Sequence, residues 1–293
     1  MTRTTDALLA ASAPAIWGST YIVTTELLPE GYPLTLAMLR ALPAGLILLA
    51  LVRRLPPRNF LGQIFILGAL NFTIFWALLF VAAYRLPGGV AATLGAIQPL
   101  TVLFLSYLLL GTRLIWQGIV AAIAGLVGVS LLILGPDTQL DPVGVAAALG
   151  GAVSMAAGVV LTRRWQPPVS PLVFTAWQLT AGGLLLLPLA LMIEPTFPLP
   201  TPENLLGLAW LGLIGAALTY FFWFRGIARL GPATITAFGF LSPLTAVLLG
   251  WAILGQSLTL LQFLGALIVL NSVWLGARAG RMATNRIHEG ARA

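Results

Sequence analysis

The sequence predicts an all-α polytopic membrane protein, with ten transmembrane helices arranged as two inverted five-helix repeats. Three observations carry this prediction. Of 293 residues 59% are hydrophobic and 8% charged, too few charges to cover a soluble chain of this size. Ten apolar runs of membrane-spanning length lie between charged or proline-rich breaks. Glycines and prolines recur in register at two fixed offsets.

The mean hydropathy of +0.99 identifies lipid as the main solvent. There is no cysteine, and the single histidine, His288, lies in the polar C-terminal stretch, so no metal site and no cofactor is expected. No H-E-x-x-H, intramembrane histidine or carboxylate pair points to an enzyme. The net charge of +7 comes from arginines set singly or in pairs between apolar runs. They read as topology signals, and nucleic-acid binding is not expected.

The spans are placed at Leu8 to Leu27, Pro33 to Val52, Leu61 to Ala83, Gly88 to Leu110, Ile115 to Leu134, Pro142 to Leu161, Pro171 to Ile193, Leu205 to Phe224, Pro232 to Leu254 and Leu260 to Ala277. The first imitates a signal peptide at Ala11-Ser12-Ala13, but the apolar run continues past Pro14 and is long enough to stay in the bilayer. With a cytoplasmic N-terminus, 13 of the 15 arginines fall on the inside, leaving only Arg85 outside and Arg40 within a span. Both termini are therefore expected in the cytoplasm of a cell with the chain in its inner membrane.

At an offset of 138, Pro33-Leu34 matches Pro171-Leu172 and Gly45-Leu46 matches Gly183-Leu184. At 144, Arg85-Leu86 matches Arg229-Leu230, Gly95 matches Gly239, and Pro99-Leu100-Thr101 matches Pro243-Leu244-Thr245. The division is residues 1–135, 136–282 and a cytoplasmic tail 283–293. Five spans per half is odd, so the second half enters the membrane from the opposite side, the inverted repeat of transporters.

Pro99 and Pro243 fall near the middles of spans four and nine, each removing a backbone donor and crowding the carbonyls of Gly95 and Gly239. These four residues are candidate hinges, with packing as the alternative, and Gln98 and Ser242 lie beside them. Arg40 is the only charge well inside a span. It either anchors a substrate carboxylate or snorkels to the outer headgroups, and its repeat partner Gln178 is polar too. Trp17, Asn71 and Trp177 complete the candidate substrate-binding set; Asn71 serves equally as a ligand group or a helix-to-helix bond. Tyr220, Tyr107 and Trp116 read as packing or interfacial-belt residues. No span carries an Asp or Glu near its middle, so no carboxylate proton relay is expected.

These residues resemble the drug/metabolite transporter (DMT) superfamily, in its EamA-domain branch. Trp17-Gly18-Ser19 resembles the Trp-Gly element of the family's first helix. Leu94-Gly95-Ala96-Ile97-Gln98-Pro99-Leu100 and Phe240-Leu241-Ser242-Pro243-Leu244 are similar to its proline-centred fourth and ninth helices. Leu110-Gly111 and Leu254-Gly255-Gln256-Ser257-Leu258-Thr259 resemble its Leu-Gly-Glu-x-Leu-Thr ending, with Thr112 and Gln256 standing in place of the Glu. Met155-Ala156 stands where the second half would repeat Trp-Gly. The pattern is similar to the YddG-type amino-acid exporters. The resemblance implies export of neutral or aromatic amino acids and related metabolites by alternating access, with other metabolites or drugs, or a pore-type channel, as alternatives. The expected partners are the small-molecule substrate and the lipid bilayer, for a monomer or weak homo-oligomer.

Overall fold

The structure, a computed structural model, describes residues 3–86, 94–133, 141–255 and 259–290. All regular structure among them is helical: α1 (Arg3–Trp17), α2 (Thr20–Leu27), α3 (Pro33–Val52), α4 (Leu61–Gly68), α5 (Ile74–Arg85), α6 (Gln98–Leu110), α7 (Trp116–Ile133), α8 (Pro142–Arg164), α9 (Pro171–Ile193), α10 (Pro202–Ala209), α11 (Thr219–Leu230), α12 (Pro232–Phe238), α13 (Leu241–Leu254) and α14 (Leu260–Gly290). Two π-helical segments, Ala69–Thr73 and Trp210–Leu218, fuse α4 to α5 and α10 to α11. By length and composition, seven helical stretches among the described residues can cross a membrane. Gln98–Leu110 and Trp116–Leu132 are apolar but shorter. Residues 88–93 of the fourth expected span, Asp137 and Gln256-Ser257-Leu258 lie outside the described residues.

Sequence chemistry sets many of the helix ends. Pro33, Pro142, Pro171, Pro202 and Pro232 each open a helix, where the missing N–H is one of the unsatisfied donors in any case. The Glu194 carboxylate, at the end of α9, accepts from the backbone N–H groups of Leu34 and Thr35 at 2.5 and 2.8 Å, capping α3 from another helix. Asp141 caps α8 by accepting from Gly144 N at 2.7 Å and pairs with Arg85 at 3.7 Å.

The expected single helix for span one is interrupted at Gly18-Ser19. The Ser19 N–H reaches the Ile16 carbonyl, a tightened i−3 bond of 3.0 Å, five residues after Pro14 has removed a donor. Span nine is interrupted at Gly239-Phe240 by the same kind of tightening, Gly239 N to Thr236 O at 3.0 Å and Ser242 N to Gly239 O at 3.1 Å. The two interruptions meet: a Cβ on Gly18 would lie 2.6 Å from the Ser242 carbonyl, so only glycine permits this approach. In span four the turn Ala96-Ile97 precedes α6, so Pro99, like Pro243 in α13, falls in a first turn. The expected bends are thus two-residue interruptions bridged by tightened hydrogen bonds, and opening the helix ahead of proline relieves its clash with the carbonyl four residues back. At the C-terminal end, α14 runs on through Gly290.

The densest packing is between α3 and α9 and between α14 and α7, with α1 against α11 and α5 against α8. The largest buried cluster lies where α1, α3, α5, α8, α9 and α11 meet, and includes Phe72, Trp76, Tyr220, Trp223 and Phe224.

Candidate functional site

Arg40 projects from α3 into this cluster, seven residues after Pro33 and thus about 10 Å along the helix. Its Nη2 donates to the Gly215 carbonyl at 2.7 Å, and its guanidinium carbon lies 5.1 Å from the centre of the Trp76 ring. Among the described residues no carboxylate pairs with it, and its Nε is buried without a partner. Among the described residues the charge meets a backbone dipole and an aromatic face, the latter worth about 0.5–2 kcal/mol. That leaves guanidinium donors for an arriving anion. The Gly215 bond holds the guanidinium against Trp76.

The Gly215 carbonyl also accepts from Trp17 Nε1 at 3.1 Å, and the same indole N–H meets Thr219 Oγ1 at 2.8 Å. Trp17 packs on Tyr220 and Trp223, both with ring centroids at 4.9 Å. Phe72 stands edge-on to Tyr220 at 4.7 Å and to Trp76 at 5.4 Å. Arg40 therefore sits beside a box of aromatic rings, one of which, Trp223, has a buried indole N–H without a partner. The box depends on the π-helical segment Trp210–Leu218, whose altered hydrogen-bond register contains the Gly215 carbonyl that receives both side chains.

A second polar centre is built on the other π segment. Asn71 Nδ2 donates to Gln178 Oε1 at 2.8 Å and to Thr162 Oγ1 at 3.2 Å, and the Thr162 hydroxyl reaches Gln178 Oε1 at 3.3 Å. Asn71 and Gln178 are fully buried, yet Asn71 Oδ1 and Gln178 Nε2 have no partner. Gly158 on α8 makes room for the Asn71 amide, since a Cβ there would overlap Oδ1. Ser154 donates to the Leu70 carbonyl at 2.9 Å and steadies the same segment. Thr162 also lines a shallow cleft with Gln166, Phe174, Phe224 and Ile227.

The other sequence candidates fall elsewhere. Trp177 donates to the Arg54 carbonyl at 2.6 Å and packs with Ile64, Leu67 and Phe174, fastening the end of α3 rather than joining the box. The Ser242 carbonyl lies against Gly18. Gln98 opens α6 and is half-buried, its side chain making no hydrogen bond to a described residue. Around Gly95 a Cβ would meet nothing within 4 Å, whereas at Gly239 it would approach the Thr236 carbonyl at 2.9 Å.

Sequence reasoning missed Asp6. Its carboxylate, 5% exposed, accepts from Arg225 at 2.8 and 2.9 Å and pairs with Arg229 at 3.1 Å, tying the start of α1 to the end of α11. The available signal was an acid on the side to which thirteen arginines and only one other acid, Glu289, are assigned. Trp76, Gly215 and Thr219 were missed because nothing local marks an indole or a carbonyl as part of a site.

Two stretches, residues 5–134 and 142–277, match the EamA-like transporter family. The chain belongs to that family. It is a multi-pass membrane protein and a membrane transporter of the DMT superfamily. This EamA-like transporter is 46% identical over 263 residues to Protein PecM of Dickeya dadantii (strain 3937), covering 89% of this chain and 88% of that one. It is 31% identical over 267 residues to the uncharacterized inner membrane transporter YedA of Escherichia coli (strain K12), covering 89% and 86%. A protein of known crystal structure, 20% identical, has the same fold with a TM-score of 0.81, covering 96% of this chain and 100% of that one.

Proposed function

We propose that this transporter exports amino acids, neutral and aromatic ones among them, across the inner membrane by alternating access between two inverted halves, residues 1–135 and 136–282. The observation that carries the substrate class is Arg40: a guanidinium with no carboxylate partner among the described residues, set against Trp76 beside the box of Trp17, Phe72, Tyr220 and Trp223. A substrate carboxylate fits its open donors, and an apolar or aromatic side chain fits the rings. Loss of the Gly215 bond frees the second donor edge of Arg40, so substrate binding and helix separation are coupled at one residue.

Alternating access is supported by the breaks at Gly18-Ser19 and Gly239-Phe240 and by the turn ahead of Pro99, which give span ends freedom to swing about fixed segments. The aromatic packing between the halves favours a carrier over a pore, because a channel needs a continuous polar path. Both termini face the cytoplasm in this account, following the arginine distribution. The test is transport of radiolabelled phenylalanine and leucine by purified protein in vesicles, with nucleotide sugars and cationic drugs as competing classes. Movement of amino acids supports the proposal. Movement of the other classes alone contradicts it.

A further inference from the structure

The Arg40 and Asn71 centres are related by the internal repeat. Gln178 follows Arg40 by 138 positions and Gly215 follows Asn71 by 144, the two offsets at which glycines and prolines recur. In each centre a polar side chain of a proline-opened helix, α3 or α9, reaches a π-helical segment of the other half. Each polar side chain lies seven residues into its helix. The α3–α9 crossing between them is reciprocal: Gly45 faces Thr180, and Gly183 faces Leu42, residues again separated by 138. One centre ends in a guanidinium and the other in a neutral amide.

The geometry points to the Asn71–Thr162–Gln178 centre as a second substrate subsite, the cytoplasmic-side counterpart of Arg40, which holds the substrate's polar end through neutral hydrogen bonds. The proposal rests on the export function proposed above and on the inverted arrangement of the halves. Two features distinguish this centre from a plain helix-to-helix bond. It leaves a buried carbonyl oxygen on Asn71 and a buried amide N–H group on Gln178 without partners, against the strong tendency of buried polar groups to be satisfied. Its Thr162 also lines the cleft beside Phe174 and Phe224, whose rings lie 6.5 Å apart, and Phe224 continues at 5.7 Å to Tyr220 of the Arg40 box. The cleft is closed to an amino acid here; once the halves part at this end, a substrate entering from it meets the Thr162 hydroxyl and the Gln178 amide first and the Arg40 cation second. A neutral first subsite releases the carboxylate readily to the charged one, which biases occupancy outward.

The test measures the apparent KM for phenylalanine at each face, using everted membrane vesicles for the cytoplasmic face and spheroplasts for the outer face. Q178L should raise KM about tenfold in everted vesicles and leave the spheroplast value within about twofold, and R40Q should do the reverse. T162V, a smaller change at the cleft edge, should follow Q178L in direction and covers the case in which Q178L fails to fold. Variants at positions 178 and 162 that leave both faces unchanged, or alter both equally, would overturn the subsite. Wild-type vesicles that move no amino acid would instead overturn the export function on which it rests.

Discussion

The guanidinium of Arg40 donates a 2.7 Å hydrogen bond to the backbone carbonyl of Gly215, joining residues 175 positions apart. An arginine within a membrane span costs at least about 2.5 kcal/mol, and here one neutral acceptor and one indole face offset it. The residue is therefore maintained at a cost, with donors in reserve.

Replacing Arg40 separates charge from geometry. R40A should raise the apparent KM for amino acids about 10- to 100-fold, the loss of a charge-assisted bond of about 1.5–3 kcal/mol. R40K keeps the charge but loses the planar fork, and should fall between R40A and wild type. Well-folded R40A with an unchanged KM would leave Arg40 a packing residue.

Gly158 should be intolerant of any side chain. G158A places a methyl where the Asn71 carbonyl oxygen lies, displacing the amide from Gln178 and destabilising the protein by about 1–3 kcal/mol. Thermal unfolding in detergent checks this. An unchanged midpoint would mean that α8 shifts freely away from Asn71.

Asp6 should matter more than its place near the N-terminus suggests. D6N removes the negative charge that pairs with Arg225, whose side chain is 14% exposed, and with the half-exposed Arg229. The expected loss is about 2–4 kcal/mol, below the full value for a buried pair because Arg229 can turn to water. Since the contact joins α1 to α11, D6N should also speed modification of a single cysteine introduced at Thr5, a direct assay in a chain with no native cysteine. Unchanged stability and labelling would reduce the contact to a surface pair.

The legible part of the fold was the part written in local chemistry. Proline at the first helical position set the starts of α3, α8 and α9 as expected, and the apolar run lengths set their extents. The breaks near Gly18 and Gly239 were only half legible. Proline announces a lost hydrogen bond, but whether the helix bends or parts depends on what packs beside it, here Ser242 against Gly18. The π segments carry no compositional mark, so the carbonyl of Gly215 could not be foreseen as the acceptor for Arg40. For the same reason Trp177 looked equivalent to Trp17, although one fastens the Arg54 loop and the other joins the aromatic box.

The prolines that follow the breaks should govern rate more than affinity. P99A and P243A restore a backbone donor and allow the helix to close over Ala96-Ile97 or Gly239-Phe240. Turnover should fall severalfold with near-normal KM and stability, as measured by initial rates in vesicles. Normal turnover in both variants would assign the prolines to packing.

The most direct test of the account is counterflow in vesicles made with purified protein, loaded with unlabelled phenylalanine and given trace label outside, with no ion gradient imposed. With no Asp or Glu near the middle of any span, the label should accumulate transiently and then equilibrate, and collapsing a pH gradient at fixed pH and voltage should leave the rate unchanged. R40A vesicles should show little of this exchange at the same substrate concentration. Accumulation that strictly requires a proton gradient, or full exchange by R40A, would contradict the account.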